Sequence, residues 1–548
     1  MSLCHSHMNA QRSWAADSGG PSAGFSPFGL CLWNRFECLA AVILVRYARS
    51  WVWWVGLVLV VSACSGTTAA TTSSSSAPPI TTTTSLSTAP PITTTSSSTT
   101  ATTAPLRKID AALVGDTGGG STLFPDSGNG GYDVLLYDLT LVISDDLTAL
   151  EGVASITAVA TQDLQRFSLD ARGLVVASVS VDGEGVEFVT AGPELIVTLD
   201  EPLKSGDEFT VTVDYQSEPA PYRPEGVPFS MGWDVAPGRL LLVHGFPGAA
   251  ATWTPISESV YDPARVVFRI DAPEGFPATA SGFLIDDEEF FVWDTQQEVG
   301  GATFSIAEYE TSVIEWNGIP IEFALTPKRL RPIDPSGATI PGVRDIWEAD
   351  VPVMLDFFET VFGPFPYGRL GLSAINGEQF ALASPMRILI PESMPRPVLV
   401  HELAHQWAGV AVTSEVEGSG WLWEGLATYT ETLFREHEGQ SVGDSSVLLS
   451  SSVPDTTRPL DQVDSIDDIL DGATYQRGAL LYHALRLEIG DEPFFATIKE
   501  FIQRNLHATA EIEDLQAIAE EITGDDLSQF FTSWVTETTV PQLPPTDG

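Results

Sequence analysis

The segment 401–429 constrains the fold of this chain more than any other. It reads HELAHQWAGVAVTSEVEGSGWLWEGLATY. His401 and His405 are four residues apart, a spacing that places both imidazole rings on one face of a helix, one turn apart. Glu424 follows after 18 intervening residues, which is enough for the first helix to end and a second helix to return. The segment therefore predicts two facing helices with two imidazoles and one carboxylate between them.

These three side chains are predicted to bind one metal ion. Zinc in a catalytic site usually has three protein ligands and leaves the fourth position to water. Glu402, beside His401, is then placed to hold that water rather than the ion. The alternative is a surface helix that happens to carry two histidines. Histidine is scarce in the chain, at 8 of 548 residues, and the neighbouring residues are apolar. A buried imidazole or carboxylate needs a partner, so the metal site is favoured.

The same motifs resemble the aminopeptidase N-type zinc metallopeptidases, which are gluzincins. The resemblance is carried by HELAHQW, which begins at His401, and by WLWEGLATY, which contains Glu424, and it extends over about residues 130–540. The usual family pattern is W-L-N-E-G-F-A, so Trp423 and Leu426 depart from it; we interpret both as packing residues. The resemblance implies one Zn²⁺ per chain, held by the two histidines and Glu424, and peptides as substrates.

Two further site residues follow from the resemblance. The stretch INGEQF contains Glu378, where the family has G-x-M-E-N and a glutamate that binds the free α-amino group of the substrate. The stretch TYQRGA contains Tyr475 and is similar to the family's Y-E-K-G-A, whose tyrosine donates to the developing oxyanion. Glu402 would act as general base and then as general acid. The alternatives are an ordinary edge-strand glutamate and a core tyrosine at a helix N-terminus.

The predicted fold class is α+β with several domains. Segments rich in β-formers, such as 132–141, are separated by turn residues and predict an N-terminal antiparallel β-sandwich over residues 111–302. Helical periodicity over residues 479–535 predicts a helical C-terminal part. The resemblance implies that residues 303–548 form a thermolysin-like α/β catalytic domain that includes these helices.

The N-terminal region is predicted to be a membrane anchor and a tether. We interpret residues 1–43 as a spurious or disordered extension and residues 44–64 as a lipoprotein signal peptide. The apolar run 51–63 is too short for an ordinary spanning helix. It closes on LVVSAC, which resembles a bacterial lipobox ending at Cys64; the alternative is an uncleaved signal anchor. Residues 65–110, dominated by Ser, Thr, Ala and Pro, predict an extended tether. The protein is thus expected outside the cytoplasm, lipid-anchored to the membrane.

Charge and cysteine usage exclude several classes of function. The chain has 26 Lys and Arg against 73 Asp and Glu, a formal net charge of −47, and such a field repels nucleic acid. All four cysteines lie in the N-terminal region that ends at Cys64, so the body of the chain has neither a disulfide framework nor thiolate chemistry. The oligomeric state is not indicated by the sequence.

The function predicted first is that of a zinc-dependent aminopeptidase acting on peptides outside the cytoplasm. A second prediction within the same chemistry is an endopeptidase or a broad peptidase with an open cleft. It is suggested by the departures around Glu378 and because the sequence lacks the long helical superstructure of larger family members. A third alternative is a catalytically inactive surface-binding lipoprotein. The intact set of His401, Glu402, His405 and Glu424 argues against the third alternative.

Overall fold

The computed structural model describes residues 107–545, apart from residues 126, 224–229, 237–239, 246–247, 260–261, 327–341, 376–380 and 416–417. The predicted extension, the signal peptide with Cys64 and most of the tether therefore lie outside the described residues, as does Glu378. Within the described part, no helix is both long enough and apolar enough to cross a bilayer.

The first part of the described chain is built from β-strands. Three sheets contain them: an eight-stranded sheet in the order β13-β14-β11-β1-β2-β8-β4-β5, a three-stranded sheet β3-β7-β6 and a four-stranded sheet β12-β15-β10-β9. The bounds are β1 Tyr132–Ile143, β2 Leu150–Ala160, β3 Leu164–Asp170, β4 Val175–Val181, β5 Glu184–Gly185, β6 Glu187–Ala191, β7 Glu194–Leu203, β8 Glu208–Ser217, β9 Gly232–Ala236, β10 Leu240–His244, β11 Arg265–Asp271, β12 Ala278–Ala280, β13 Phe283–Asp286, β14 Phe291–Asp294 and β15 Phe304–Ile306.

The alternation of buried and exposed side chains along the strands shows which face of a sheet packs on the core. Along β2, buried residues alternate with exposed or half-buried ones over the whole strand, the pattern of a sheet with one face on a core. Tyr132, Phe167 and Phe209 meet edge-on or tilted in that core, with ring centroids 5.5 to 6.3 Å apart. One pairing differs from the predicted antiparallel arrangement, because β1 and β11 run parallel. They are joined by a long connection through other strands, as a parallel pair requires.

The second part is a mixed sheet covered by helices. Its five strands have the order β16-β17-β18-β20-β19, with β17, β18 and β20 parallel and β19 antiparallel at one edge. The strands are β16 Glu310–Trp316, β17 Ile319–Leu325, β18 Leu370–Ile375, β19 Leu382–Ser384 and β20 Arg387–Pro391, and a short pair is formed by β21 Val412–Thr413 and β22 Ala508–Thr509. The helices are α1 Val343–Phe362, α2 Arg396–His405, α3 Gly420–His437, α4 Val442–Ser452, α5 Ile466–Ile469, α6 Gly478–Ile489, α7 Asp491–Arg504, α8 Ile512–Thr523 and α9 Ser528–Thr536. The predicted α+β class, β-rich first and helical towards the C-terminus, is confirmed.

A buried arginine connects the two parts beside β20. The guanidinium of Arg387 is fully buried, pairs with Glu322 at 2.6 Å and lies over the ring of Trp293 at 5.1 Å. Its Nε donates to the carbonyl oxygen of Ala280 at 3.0 Å. Because Ala280 and Trp293 belong to the first part and Glu322 to the mixed sheet, this side chain fixes the strand that leads into α2. The predicted domain boundary between residues 302 and 303 stays a prediction. Strand β15 follows this boundary in the chain, yet it pairs with β10 and β12 of the first part.

Candidate metal centre and active site

Helix α2 carries the first two candidate ligands. Pro395 precedes the helix and Pro397 lies in its first turn, where a missing N–H leaves no helical hydrogen bond unmade. The helix ends at His405, and the chain returns as α3 from Gly420, as the spacing predicts. Leu403 and Ala404 are fully buried, and this burial sets the rotation of the helix and turns the histidine side towards α3.

The three candidate ligands converge on one point. Nε2 of His401 and Nε2 of His405 are 3.1 Å apart, and Oε2 of Glu424 lies 3.1 Å from the first and 3.4 Å from the second. The two imidazole rings are nearly perpendicular, at 77°. Among the described residues, these three form the group of histidine and acidic side chains whose atoms are close enough to share an ion.

Hydrogen bonds at the far sides of the rings determine which nitrogens carry protons. Nδ1 of His405 lies 2.9 Å from the carbonyl oxygen of Ala408, which can only accept. Nδ1 of His401 lies 3.3 Å from Oε1 of Glu431, and an ionised carboxylate also only accepts. Both Nδ1 atoms are therefore donors, so each Nε2 atom can offer a lone pair to an ion once it carries no proton of its own.

This donor set fits a tetrahedral zinc ion. Zinc binds imidazole nitrogen and carboxylate oxygen at about 2.0–2.2 Å, and a tetrahedron of that size places its ligand atoms about 3.3–3.6 Å apart. The observed separations of 3.1 to 3.4 Å approach this value. A divalent cation between these atoms would balance the charge of Glu424 in place of a proton on either imidazole. His401 with Glu431 also reproduces the carboxylate–histidine contact common around bound metals.

The ionisation of these groups follows from the same contacts. Burial opposes the imidazolium form of His401, but hydrogen bonds with Glu424 and Glu431 raise its pKa well above the ordinary value. The pKa of His405 is also raised, because Glu424 outweighs burial. Burial alone would raise the pKa of the Glu424 carboxyl, yet the two imidazoles bring it far below its usual range. Glu424 therefore stays ionised as a ligand must.

Glu402 lies on the same helix but is not part of the converging set. Its side chain is buried, and burial raises the pKa of the carboxyl while the neighbouring imidazoles oppose that rise. The backbone N–H of Ala383 in the edge strand β19 donates to it. A carboxyl group with a raised pKa, next to an ion site, is suited to accept a proton and return it.

Tyr475 reaches the site from a third element. It lies in a π-helical turn, Ala473–Arg477, directly ahead of α6, and its ring stacks on His401 with centroids 6.2 Å apart. Burial and the carboxylates of Glu424 and Glu402 raise the pKa of its hydroxyl well above the ordinary value. The hydroxyl therefore keeps its proton and can donate a hydrogen bond at the site.

Two glycines allow helices α3 and α6 to lie close together beside the site. A Cβ on Gly425 would lie 2.7 Å from backbone atoms of Gly478, and a Cβ on Gly478 would lie 2.9 Å from Cα of Gly425. Helices α3 and α6 therefore touch through their backbones, one residue after Glu424 and three residues after Tyr475. A side chain at this contact would push the two helices apart and so move the carboxylate of Glu424 away from the hydroxyl of Tyr475.

The structure thus brings together His401, His405 and Glu424, with Glu402 and Tyr475 beside them. Glu378 cannot be placed, since it lies outside the described residues. Sequence reasoning missed Glu431, and a signal for it exists: Glu431 follows Glu424 by seven residues, which returns it to the same helix face.

Comparison with known proteins shows which family this chain is similar to. The family described as "Peptidase family M1 domain" matches residues 387–534. Aminopeptidase M1-A of Oryza sativa subsp. japonica is 32% identical over 149 residues, which are 25% of this chain and 17% of that protein. A protein of Sulfurisphaera tokodaii named "Probable aminopeptidase 1" is 25% identical over 425 residues, 70% of this chain and 50% of that protein. The matches thus span half or less of the length of these two relatives.

Solved structures match over a longer range. The M1 zinc metallopeptidase from Deinococcus radiodurans superposes with a TM-score of 0.68 at 27% identity, covering 78% of this chain and 99% of that chain. A glutamate-to-alanine mutant of a Deinococcus radiodurans M1 zinc metallopeptidase, bound to a Tyr-Ser-Ala substrate, matches with the same score and coverage. The arrangement of helices and strands, the convergent donor set and these similarities agree. Residues 387–534 therefore match a peptidase family M1 domain, the domain of the aminopeptidase N family, and the chain is similar to M1 zinc metallopeptidases over 78% of its length.

Proposed function

We propose that this protein is a zinc-dependent aminopeptidase that removes N-terminal residues from peptides. The observation that carries the proposal is the convergence of His401, His405 and Glu424, whose facing atoms lie 3.1 to 3.4 Å apart. Zinc held there would lower the pKa of a coordinated water to about 7 and polarise the substrate carbonyl.

Glu402 is the proposed proton carrier. Its carboxyl is buried beside the ion site and its pKa is raised, so it can take a proton from the attacking water and deliver it to the leaving amine. General acid–base catalysis of this kind contributes about 10²–10⁴-fold to the rate. The N–H of Ala383 donates to this carboxylate and helps to fix its orientation.

Tyr475 is the proposed donor to the negative oxygen that develops on the scissile carbonyl. Its hydroxyl stays protonated and enters the site on the side of His401. A fixed donor of this kind contributes about 2.7–4 kcal/mol to the stability of the transition state. Glu378 is proposed to bind the substrate ammonium group, which would make the first peptide bond the one that is cut.

Structural relatives support peptides and amino acids as ligands. Matching structures hold Tyr-Ser-Ala, L-tryptophan and L-arginine, and the last two are what an aminopeptidase would release.

The test is hydrolysis of a panel of aminoacyl amides and short peptides, each offered free and N-acetylated, with and without chelator. Chelator-sensitive cleavage of free but not acetylated substrates supports an aminopeptidase. Equal cleavage of free and acetylated substrates would support an endopeptidase instead. A zinc-loaded protein that cleaves neither would support the third alternative, a catalytically inactive binding lipoprotein.

We also propose that the enzyme is held outside the cytoplasm by a lipid on Cys64. This proposal rests on the apolar run and the lipobox-like ending in the sequence. Mass spectrometry of the mature N-terminus from membranes tests it. A diacylated N-terminal cysteine is the expected result, and a mature chain that retains residues 44–63 would refute it.

A further inference from the structure

The position of Tyr475 depends on the loop ahead of it. The tyrosine precedes the regular part of α6 and lies in the π-helical turn Ala473–Arg477. Such a turn is rare and less constrained by its own hydrogen bonds than an α-helix. The contacts that hold the turn therefore decide where the hydroxyl lies.

Asp471 holds the beginning of the turn. Its Oδ1 accepts hydrogen bonds from the backbone N–H groups of Ala473 and Thr474, each at 2.9 Å. Its own carbonyl oxygen accepts from the N–H of Tyr475 at 3.4 Å. Three successive N–H groups, including that of the tyrosine, thus point to one aspartate.

Arg458 in turn holds Asp471. Its Nε and one terminal nitrogen donate to the two carboxylate oxygens at 3.1 and 2.9 Å, a fork geometry that lysine cannot reproduce. The Arg458 side chain is only 15% exposed. Its terminal nitrogens also donate to the surrounding loop: to the carbonyl oxygens of Pro459, Gln462 and Asp468 and to Oγ1 of Thr474.

The far end of the turn is tied to the same loop. Arg477 is fully buried and donates to the carbonyl oxygen of Arg458 at 3.0 Å and to that of Trp534 at 2.7 Å. Both ends of the turn are therefore bound to the segment around residue 458, and Tyr475 lies between them.

We infer that Arg458 and Asp471 are positioning residues for Tyr475 in catalysis. The inference rests on the proposed function, because it concerns the donor of that reaction. A donor acts only when it lies within hydrogen-bonding distance of the developing oxyanion, and a misplacement of about 1 Å can cost 10²-fold in rate. Neither side chain is placed to touch the substrate; they act through the tyrosine.

A double-mutant cycle separates positioning from a merely structural contact. We would measure kcat, KM and zinc content for the single variants Asp471→Ala, Arg458→Lys and Tyr475→Phe. The same quantities would be measured for the two double variants that combine Asp471→Ala or Arg458→Lys with Tyr475→Phe. Asp471→Ala is expected to lower kcat about tenfold to 100-fold with KM nearly unchanged. In the Tyr475→Phe background the same substitution should lower kcat less than about twofold, because the donor is already absent.

The controls use the same protein. Asp471→Asn keeps one acceptor oxygen for the turn, so we expect its kcat to lie between those of the wild type and Asp471→Ala. If Asp471→Ala does not fold, Asp471→Asn takes its place in the double-mutant cycle. Arg486→Lys removes another buried guanidinium clamp, which pairs with Glu436 and Asp491 and does not contact the turn. Its effect on kcat should be equal in both backgrounds.

The outcomes are distinct. Loss of kcat that disappears in the Tyr475→Phe background supports the inference. Equal fold losses in both backgrounds, with zinc retained, would overturn it while the proposed function stands. A zinc-loaded wild-type protein without peptidase activity would overturn the proposed function and the inference with it.

Discussion

The contact between Gly425 and Gly478 leads to the prediction that Gly478→Ala impairs catalysis in a protein that stays folded. The added Cβ would lie 2.9 Å from Cα of Gly425 and 3.0 Å from the carbonyl oxygen of Trp421, and ordinary contact begins at 3.4 Å. The backbones must therefore separate by roughly half an ångström before the contact becomes an ordinary one. Both neighbours are backbone atoms, so no side-chain rotation can relieve the overlap.

Two opposing terms set the stability change. Overpacking costs about 1–3 kcal/mol, whereas replacing glycine by alanine within a helix gains about 0.8–1 kcal/mol. The expected net loss is thus about 0–2 kcal/mol, small enough for the protein to stay folded. The expected loss in kcat is about tenfold, because a shift of about half an ångström is about half of the displacement that costs 10²-fold.

The assay measures kcat on an aminoacyl amide together with Tm and zinc content. Gly443→Ala is the matched control: Gly443 also lies in the first turn of a helix, α4, and a Cβ there would meet its nearest atom at 3.9 Å. The control should keep its kcat and gain slightly in Tm. A folded, zinc-loaded Gly478→Ala protein with wild-type kcat would refute the role given to the backbone contact.

Four further predictions concern the site itself. Glu402→Gln should retain zinc by metal analysis and lose about 10²–10⁴-fold in kcat; near-normal turnover would remove its proton-carrying role. Tyr475→Phe should lower kcat about 10²–10³-fold with little change in KM, and an unchanged rate would return the tyrosine to the core. Glu431→Gln should weaken zinc binding about 10–100-fold, since it loses the charge beside Nδ1 of His401; competition with a metal indicator measures this. Dialysis against chelator should abolish activity and lower Tm, because a bound ion stabilises only the folded chain, and added zinc should restore both.

The convergence of His401, His405 and Glu424 could be predicted because its signal is local. His401 and His405 share one helix face by spacing alone, and the interval to Glu424 has the length of a helix return. The strands at 132–141 and 209–215 were also predictable, since β-forming residues are concentrated there, and both lie within β1 and β8. The returning helix begins at Gly420, inside the interval between His405 and Glu424.

The remaining contacts could not be predicted because they join distant segments. Nothing in the sequence pairs Arg458 with Asp471 rather than with solvent, since the intervening segment has no regular period. The parallel pairing of β1 with β11 joins strands that lie far apart in the chain. The burial of Arg387 against Trp293 runs against the usual exposure of arginine, and such exceptions arise where tertiary partners replace water. Trp423 was predicted as a packing residue; it is buried and stacks on Phe501.

Core packing and metal chemistry depend on each other in helix α3. Glu424 and Glu431 are seven residues apart, and a straight helix turns them only about 20° from each other. One residue therefore reaches the ion site while the other supports the ring of His401 from behind. Leu422 and Leu426 lie two positions to either side of Glu424, which places them on the opposite side of the helix, and both are fully buried. Their burial sets the rotation of the helix about its axis. A rotation that displaced either glutamate would displace both, so the packing of the hydrophobic residues of α3 positions the candidate ligand and its supporting carboxylate together.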